Sequence, residues 1–495
     1  MRGSIALGLC YNAAARPAEC TVREDNMDFD DLREGLREQL SSKVLFEQAK
    51  GYAYQYLDAL EGGRVYPDAD AVRGLEALGG PLPEGPGDPA AILKLLHEAG
   101  SKATTAQSGA RYFGFVNGGN FPVGLAARWL ADCWDQNSAL YAMSPASAKL
   151  EETCEAWIVN LLGLPEGTAA GFVSGSSVAT LCALAAARDE LLLRRGWDIR
   201  ENGLFGAPPI RVVLGEQAHS SVAKALKLLG IGQRQLLWAP VDGEGRILPD
   251  ELPALDENTL LIVQAGNVNG GAFDPMGELC GVARRAGAWV HVDGAFGLWA
   301  AASNEKRALI AGFEVADSWS ADAHKTLNVP YDCGIVLCRD REALARAMRA
   351  SGSYIPYGAG RDAMLYAPEM SRRARGAELW ATLKALGREG VGALVDALCR
   401  IAREFARGLA ENGFIVMNEV VFNQIVVRCE TDEETSGTLQ RIQQGGILWC
   451  GGTTWKGRSA IRVSVSCWRT TEEDAAACVR AFVEARAAQS GGMRS

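Results

Sequence analysis

The sequence predicts an α/β protein with a large domain built on a mostly parallel sheet and a smaller α+β domain toward its carboxyl end. Short apolar runs rich in β-branched residues at 260–264, 288–293 and 334–338 are typical of buried strands. A pattern of two strands, a helix and a third strand begins at Phe414 and predicts the second domain. At 495 residues, the chain is too long for one ordinary core.

The amino-terminal region predicts a leader followed by helices. Residues 1–26 are alanine-rich without periodicity, which predicts a disordered leader and makes Met27 a second candidate start. A helical period runs from Phe29 to Leu60, and a short helix is expected from Ile92 to Ala99. The longer helix carries five apolar residues on one face: Leu32, Leu36, Leu40, Val44 and Leu45.

A strand-to-helix turn near residue 175 predicts an anion-binding site. Gly171-Phe-Val is a short strand, and an apolar helix continues from the Gly-Ser-Ser turn to Leu193. Small residues there leave backbone N–H groups free at the positive end of a helix dipole. Ser176 and Ser177 are the candidate anion contacts, although Ser177 could instead cap the helix.

The central strands place an acid and a lysine at one edge of the sheet. The run 288–293 delivers Asp293 to its carboxyl end, and Lys325 precedes the strand at 334–338. A lysine can form a Schiff base with a carbonyl cofactor, and pyridoxal phosphate needs an acidic partner for its ring nitrogen. The alternative is an acid and a lysine on the surface without a special role.

The remainder of the chain predicts a loop and the second domain. Glycine, proline and tyrosine dominate residues 351–368 without a period, which predicts a mobile loop. Strands are expected near Phe414, at 422–429 and at 460–468. The segment Thr470-Thr-Glu-Glu-Asp is typical of a capping box that opens a final helix.

The composition indicates a globular enzyme in a reducing compartment. The net charge of −10 and the lack of a basic stripe argue against a nucleic-acid partner, and no apolar run reaches membrane-spanning length. Thirteen scattered cysteines without CxxC pairing predict reduced thiols and a cytoplasmic location. No cluster of residues predicts a metal site.

Two motifs make the chain resemble a known family. His291-Val-Asp-Gly-Ala-Phe followed by Asp322-Ala-His-Lys-Thr-Leu-Asn-Val-Pro-Tyr-Asp-Cys-Gly resembles the signature of the pyridoxal phosphate-dependent group II amino-acid decarboxylases. The resemblance runs in ordered blocks from about Thr104 to Trp468. It implies the type I, aspartate aminotransferase-like fold, with a mixed, mostly parallel sheet in the large domain. It also implies a homodimer with composite active sites and an amino-terminal arm that wraps the neighbouring subunit.

The resemblance divides the chain and assigns its site. It implies a leader at 1–26, a helical arm at 27–105, a cofactor domain at 106–345, a loop and connecting helix at 346–395, and a small domain at 396–495. The implied cofactor contacts are Ser176, Ser177, His219, Asn267, Asp293, Ala295, His324 and Lys325. By the same resemblance Lys325 would hold the cofactor, Asp293 would contact the ring nitrogen, and His219 would stack on the ring.

Other assignments concern the substrate and the proton donor. Phe115, Asn117 and Tyr141 match substrate-lining positions, with Tyr141 expected to reach the partner's site. A loop tyrosine would protonate the product's α-carbon, with Tyr366 the first choice and Tyr357 the second.

Two positions depart from the familiar animal enzymes. Asn267 stands in a Gly-Asn-Val segment where those enzymes carry Gly-Thr-Thr, and its amide could still donate a hydrogen bond to the cofactor. Asp322 replaces an asparagine, and a carboxylate would repel phosphate, so His324 is the preferred phosphate contact.

The function implied by the resemblance is decarboxylation of an L-amino acid to its amine and carbon dioxide. Aromatic residues in the expected pocket segments favour an aromatic or apolar substrate. Aldehyde synthesis, aldol-type lyase chemistry and transamination are alternatives on the same apparatus. A non-catalytic protein that binds the cofactor is a further alternative, which the intact Lys325, Asp293 and His219 disfavour.

Overall fold

The structure is a computed structural model that describes residues 29–492 except 354, 356 and 359. The predicted leader at 1–26 and Met27 lie outside the described residues. The α-helices, numbered α1 to α14 in chain order, are Phe29–Ser42, Val44–Ala59, Ala69–Gly74, Pro89–Leu95, Pro122–Trp134, Pro145–Leu162, Ser176–Arg194, Ile199–Asn202, Ser220–Leu228, Met276–Ala286, Arg341–Met348, Gly376–Glu411, Asp432–Gly445 and Glu472–Gly492.

The strands form two sheets. Numbered β1 to β11, they are Ala169–Val173, Arg211–Gly215, Leu236–Ala239, Thr259–Gln264, Trp289–Asp293, Ser318–Asp322, Gly334–Cys338, Ile415–Val416, Gln424–Arg428, Gly451–Trp455 and Arg458–Ser464. The larger sheet has the order β1-β7-β6-β5-β4-β2-β3, and β7 runs antiparallel to both of its neighbours. The other adjacent pairs are parallel, so the predicted mixed, mostly parallel sheet is confirmed.

The larger sheet is buried on both faces. Every residue of β1, β4, β5, β6 and β7 is buried. Apolar side chains of α7, α9 and α11 cover one face, while α6, α10 and α12 contribute to the cluster on the other. Helices on both faces explain why these strands read as short apolar runs rather than as alternating patterns.

The carboxyl-terminal region forms a four-stranded antiparallel sheet in the order β10-β11-β9-β8. Its apolar face packs with α12 and α14. The predicted capping box is present: the Thr471 hydroxyl accepts from the Asp474 backbone N–H (3.1 Å), and the Asp474 carboxylate accepts from the Thr471 N–H (3.2 Å). The predicted domain boundaries at 105, 345 and 395 stay predictions.

The amino-terminal helices correct one expectation. The period predicted as one helix from Phe29 to Leu60 is broken at Lys43, whose φ of 63° is left-handed, so α1 and α2 are separate helices. The short helix predicted at 92–99 appears as α4 and the helical turns after it. No residue of α1, α2 or α4 is buried within the chain.

Candidate active site

A cavity of about 760 Å³ lies at the carboxyl ends of β4 and β5 and beside the segment after β6. Most of its lining residues form two walls. The sheet wall, as we name it, comprises Gln217, Ala218, His219, Ser220, Gln264, Gly266, Val268, Asn269, Asp293, Ala295, Phe296 and Lys325. The hairpin wall comprises Thr454, Trp455, Lys456 and Arg462 of the β10–β11 hairpin, and Phe115 and Val116 complete the lining.

Asp293 ends β5 and faces this cavity. Its side chain lies in a buried position, and its Oδ1 accepts a hydrogen bond from the Ala295 backbone N–H (3.3 Å). Burial raises the pKa of Asp293, whereas the nearby His219 and Lys325 act in the opposite direction. A positively charged ring nitrogen would favour the ionised form in the same way. Asp293 is therefore suited to contact such a nitrogen.

Lys325 lies three residues beyond the end of β6. Its Nζ is 2.8 Å from Asp322 Oδ2, and its side chain lines the same cavity as Asp293. The backbone nearby is closely packed, because a Cβ on Gly118 would lie 2.0 Å from the Lys325 carbonyl oxygen. The glycine-rich segment before α5 therefore lets the chain pass directly against the lysine.

His219 immediately precedes α9 and also lines the cavity. Its Nδ1 lies 2.7 Å from the Ser221 hydroxyl and accepts from the Ser221 backbone N–H (3.3 Å), so the ring caps the helix. Removal from water lowers the pKa of His219, while Asp293 opposes this shift and Lys325 adds to it. A neutral ring near Asp293 and Lys325 is suited to stacking on an aromatic cofactor.

His324 is held beside the predicted phosphate end. Its Nδ1 accepts a hydrogen bond from the Cys333 backbone N–H (3.1 Å), and its ring stacks on Tyr331 with centroids 4.2 Å apart. Burial lowers the pKa of His324, against the influence of Asp322. Its Nε2 lies 3.5 Å from Asp322 Oδ1. His324 does not line the cavity, and its expected phosphate contact stays a prediction.

The amino end of α7 has a different organisation from the expected one. Helix α7 begins at Ser176, and Gly175 holds the cap position, so Ser177 is not the helix cap. The backbone N–H of Ser176 donates to Asp322 Oδ1 (2.5 Å), and its hydroxyl donates to Asp322 Oδ2 (2.7 Å). Asp322, which the sequence placed below His324, is thus the residue in direct contact with the turn.

The Asn267 side chain does not line the cavity. Its Oδ1 accepts from the backbone N–H groups of Asn269 (2.9 Å) and Gly270 (3.2 Å), while its Nδ2 donates to Gln217 Oε1 (3.2 Å). The turn after β4 thus uses this amide, and its expected hydrogen bond to the cofactor stays a prediction that the placement does not support. Ala295, in contrast, lines the cavity as expected.

The expected substrate residues separate into two groups. Phe115 lines the cavity, is 63% exposed and stacks on Trp449, with ring centroids 5.5 Å apart. Asn117 is not part of the lining, because its side chain bonds to Gln107 and to the Tyr331 hydroxyl. Tyr141 is also outside the lining, and its backbone N–H donates to Asp362 Oδ1 (2.9 Å).

The two loop tyrosines lie in different environments. Tyr366 is buried, its hydroxyl accepts from Arg341 (3.0 Å), and the guanidinium groups of Arg341 and Arg361 lie over its ring. This position gives Tyr366 a packing role and does not support it as the proton donor. Tyr357 is 37% exposed, and its hydroxyl donates to the Ala350 carbonyl (2.7 Å). Neither tyrosine lines the cavity of its own chain.

The hairpin wall was missed by the sequence analysis. Arg462 donates to the Val268 carbonyl (3.1 Å), and it forms no ion pair with any residue that the structure describes. Burial lowers the pKa of Arg462. Trp455 Nε1 is buried without a hydrogen-bond partner within the described ranges. The sequence did offer one signal for this wall: Arg462 interrupts the apolar pattern of β11.

Together, the fold and these residues define a class of protein. A lysine, a buried carboxylate and a histidine that line one cavity at the carboxyl edge of this sheet fit pyridoxal phosphate. A match to the model of the pyridoxal-dependent decarboxylase conserved domain covers residues 92–430. The chain therefore belongs to the pyridoxal-dependent decarboxylase family, which confirms the resemblance and the cofactor.

Individual relatives differ in the substrates that their names state. The chain is 28% identical to an aromatic-L-amino-acid decarboxylase of Bacillus atrophaeus, over 82% of this chain and 87% of that protein. It is 29% identical to an acidic amino acid decarboxylase of Mus musculus, over 64% of this chain but only 59% of the relative. A phenylacetaldehyde synthase of Arabidopsis thaliana is 26% identical over 67% of this chain and 73% of its own.

Solved structures confirm the fold. The Oryza sativa TDC with PLP and tryptamine superimposes with a TM-score of 0.81 at 21% identity, covering 94% of this chain and 99% of that one. Mouse CSAD gives a TM-score of 0.82 at 20% identity, and the superposition covers 90% of this chain and 98% of that one. The predicted type I fold is thus confirmed.

Two further findings concern membranes and metals. Within residues 29–492, apart from the three undescribed positions, no helix combines the length and apolar character needed to cross a membrane. The same residues contain no group of three or more histidine, cysteine or acidic side chains arranged to hold a metal ion.

Proposed function

We propose that this chain removes the α-carboxylate of an L-amino acid as carbon dioxide and releases the amine. The observation that carries the proposal is the convergence of Lys325, Asp293 and His219 on one cavity. Lys325 is the nucleophile that would hold the cofactor covalently. When bound, pyridoxal phosphate supplies the electron-withdrawing ring that makes cleavage of the Cα–carboxylate bond accessible.

The chain's own groups would orient the reaction. Asp293 would contact the ring nitrogen and keep it protonated. Its position beside His219 and Lys325 supports this role, because both groups lower the pKa of Asp293 and so favour the ionised carboxylate. His219 would cover one face of the ring, because α9 fixes its orientation through the cap contacts with Ser221. Ser177, His324 and Ala295 are proposed as further cofactor contacts, with His324 near the phosphate.

We propose an aromatic or apolar side chain on the substrate. The cavity lining includes Phe115, Val116, Phe296 and Trp455, whose apolar surfaces suit such a group. Phe115 is the most open of these side chains and would pack directly against the substrate.

A second candidate is an amino acid with an acidic side chain, which one observation favours. Arg462 lines the cavity and forms no ion pair with the residues that the structure describes. Binding the α-carboxylate tightly would stabilise the substrate against losing it, which opposes catalysis. The guanidinium is therefore better suited to a carboxylate at the other end of the substrate.

The proposed assembly is a homodimer with composite sites. Large apolar side chains are exposed on the amino-terminal helices and on α5, including Leu36, Leu40, Phe46, Ile92 and Leu130. A second copy of the chain would cover these groups, and the exposed Tyr141 is proposed to reach the partner's cavity.

The central test uses two lysines of the same cavity. Purified protein should be yellow, and borohydride should fix the cofactor on a peptide that contains Lys325. Lys325→Ala should lose this reducible cofactor and all turnover. Lys456→Ala is the matched control, because Lys456 lines the same cavity but bonds to Glu244 and the Met417 carbonyl. Fixation on another lysine would contradict the assignment.

Product analysis separates the candidate reactions. Carbon dioxide, amine, aldehyde and ammonia would be measured with a panel of L-amino acids that includes aromatic, apolar and acidic members. Equal amounts of carbon dioxide and amine are expected. Aldehyde with peroxide would indicate an aldehyde synthase, and a keto acid without carbon dioxide would indicate an aminotransferase.

Subunit complementation tests the composite site. A mixture of inactive Lys325→Ala and inactive Tyr141→Ala protomers should regain part of the activity, because one mixed site contains both intact residues. The dimer proposal would be contradicted if the protein sediments as a monomer and still shows full turnover.

A further inference from the structure

Asp322 takes the hydrogen-bond donors of Ser176 at the amino end of α7. Its two carboxylate oxygens accept the Ser176 backbone N–H (2.5 Å) and hydroxyl (2.7 Å). The second oxygen also lies 2.8 Å from Lys325 Nζ. One buried carboxylate therefore connects the start of the helix with the lysine that the proposed reaction uses.

The backbone that carries this carboxylate is fixed by its neighbours. The Asp322 backbone N–H donates to the Ala295 carbonyl (2.8 Å), and the residue pairs with Gly334 in the ladder between β6 and β7. A Cβ on Gly334 would lie 2.4 Å from backbone atoms of Gly175, so the start of α7 rests directly on β7. The carboxylate and the helix end thus share one packed unit.

The electrostatics of the helix end favour an anion, and Asp322 provides one. Burial alone would raise the pKa of Asp322, but Lys325, His324 and the hydrogen bonds from Ser176 outweigh it and lower the pKa. The carboxylate is therefore ionised at neutral pH. A phosphate group that approaches the same helix end meets a negative charge and finds the donors of Ser176 already used.

We propose that Asp322 competes with the cofactor's phosphate for the hydrogen-bond donors at the amino end of α7. Phosphate binds Ser176 only after the carboxylate has released it, so Asp322 weakens cofactor affinity while it stabilises the protein before cofactor uptake. The inference goes beyond the proposed reaction, since it concerns cofactor binding and is independent of the substrate.

The test uses Asp322→Asn in the full chain after removal of the cofactor. Asparagine keeps the size of the side chain and removes its charge. Pyridoxamine 5′-phosphate and pyridoxamine are the probes, because neither has the aldehyde needed to bond to Lys325. Calorimetry should show the phosphorylated probe binding about tenfold or more tightly to the variant. Pyridoxamine should bind both proteins with nearly equal affinity.

Stability gives a second readout that should move in the opposite direction. Cofactor-free Asp322→Asn should melt at a lower temperature than the parent, because the ion pair with Lys325 is lost and the hydrogen bonds from Ser176 no longer meet a charged acceptor. Asp317→Asn is the matched control: Asp317 precedes the same strand and accepts from the Val290 backbone N–H, away from the cavity. It should leave the affinity for both probes unchanged.

Two results would overturn the inference. Weaker binding of the phosphorylated probe to Asp322→Asn would mean that Asp322 helps to hold the phosphate. Equal gains for both probes would mean a general change in the cavity without competition for the helix end. If Asp322→Asn fails to fold, Asp322→Ser provides the same comparison with a smaller neutral side chain.

Discussion

The two walls of the cavity differ in how their polar groups are satisfied. On the sheet wall, Asp293, His219 and Gln217 have hydrogen-bond partners within the chain. On the hairpin wall, Lys456 pairs with Glu244. Arg462 donates to the Val268 carbonyl but forms no ion pair with the described residues, and Trp455 Nε1 has no hydrogen-bond partner among them. Groups that are already fixed suit steps common to every substrate, whereas unsatisfied groups suit recognition of a particular one. We infer that residues of the sheet wall take part in the reaction and that residues of the hairpin wall determine which substrate is bound.

The largest effect is expected on the sheet wall. Asp293→Asn removes the charge that would stabilise a protonated ring nitrogen, so kcat should fall about a hundredfold to a thousandfold for every substrate. Asp274→Asn is the control, because Asp274 is also buried but does not line the cavity; its carboxylate accepts hydrogen bonds from the backbone N–H groups of Ile247 and Gln264. Steady-state kinetics would compare the two variants. An equal loss in both would point to damage of the sheet and not to a role in the reaction.

The same difference between the walls explains what the sequence could predict. The large sheet was recognisable because β4, β5 and β7 are continuous apolar runs that both faces bury. Strand β10 was missed, because Gly451 and Gly452 weaken a strand pattern. The turn that follows places Lys456 and Gly457 at positive φ (49° and 72°), a geometry usually signalled by asparagine and glycine.

The site residues show the same limit at the level of side chains. Motif spacing placed Asp293, His219 and Lys325 around one cavity. It could not show that the Asn267 amide is used within its own turn or that Asp322 reaches Ser176. The Asp322 contact joins a strand end and a turn that are distant in the sequence, and in both cases a residue's type leaves its hydrogen-bond partner undetermined.

A change on the hairpin wall should alter selectivity more than turnover. Arg462→Gln removes the charge and keeps a hydrogen-bonding group, so it should raise the KM for acidic amino acids about tenfold to a hundredfold. The KM for aromatic amino acids should change little. Measuring both substrate classes with parent and variant gives the comparison. An equal rise in KM for both classes would place Arg462 at the α-carboxylate, which all substrates share, and would remove the distinction between the walls.

The control for Arg462 lies in the same wall. Lys456 is also cationic, but Glu244 lies 3.4 Å from its Nζ, so its charge is already compensated. Lys456→Gln should therefore leave the ratio of acidic to aromatic kcat/KM nearly unchanged. A shift as large as that of Arg462→Gln would mean that the net charge of the wall, and not the unpaired guanidinium, determines selectivity.

The smallest effect on turnover concerns the loop outside both walls. The more exposed Tyr357 is the better candidate to protonate the product, because Tyr366 is packed between Arg341 and Arg361. Tyr357→Phe should leave carbon dioxide release largely intact while the amine formed per carbon dioxide falls below one, since the phenol that donates the proton is absent. Tyr366→Phe should keep that ratio at one and lower the free energy of unfolding by about 1 kcal/mol, because the hydrogen bond from Arg341 is lost. Product ratios and thermal melts of both variants would test this division of roles. A reduced ratio in Tyr366→Phe alone would restore Tyr366 as the donor and would require its phenol to leave the contacts with Arg341 and Arg361 during turnover.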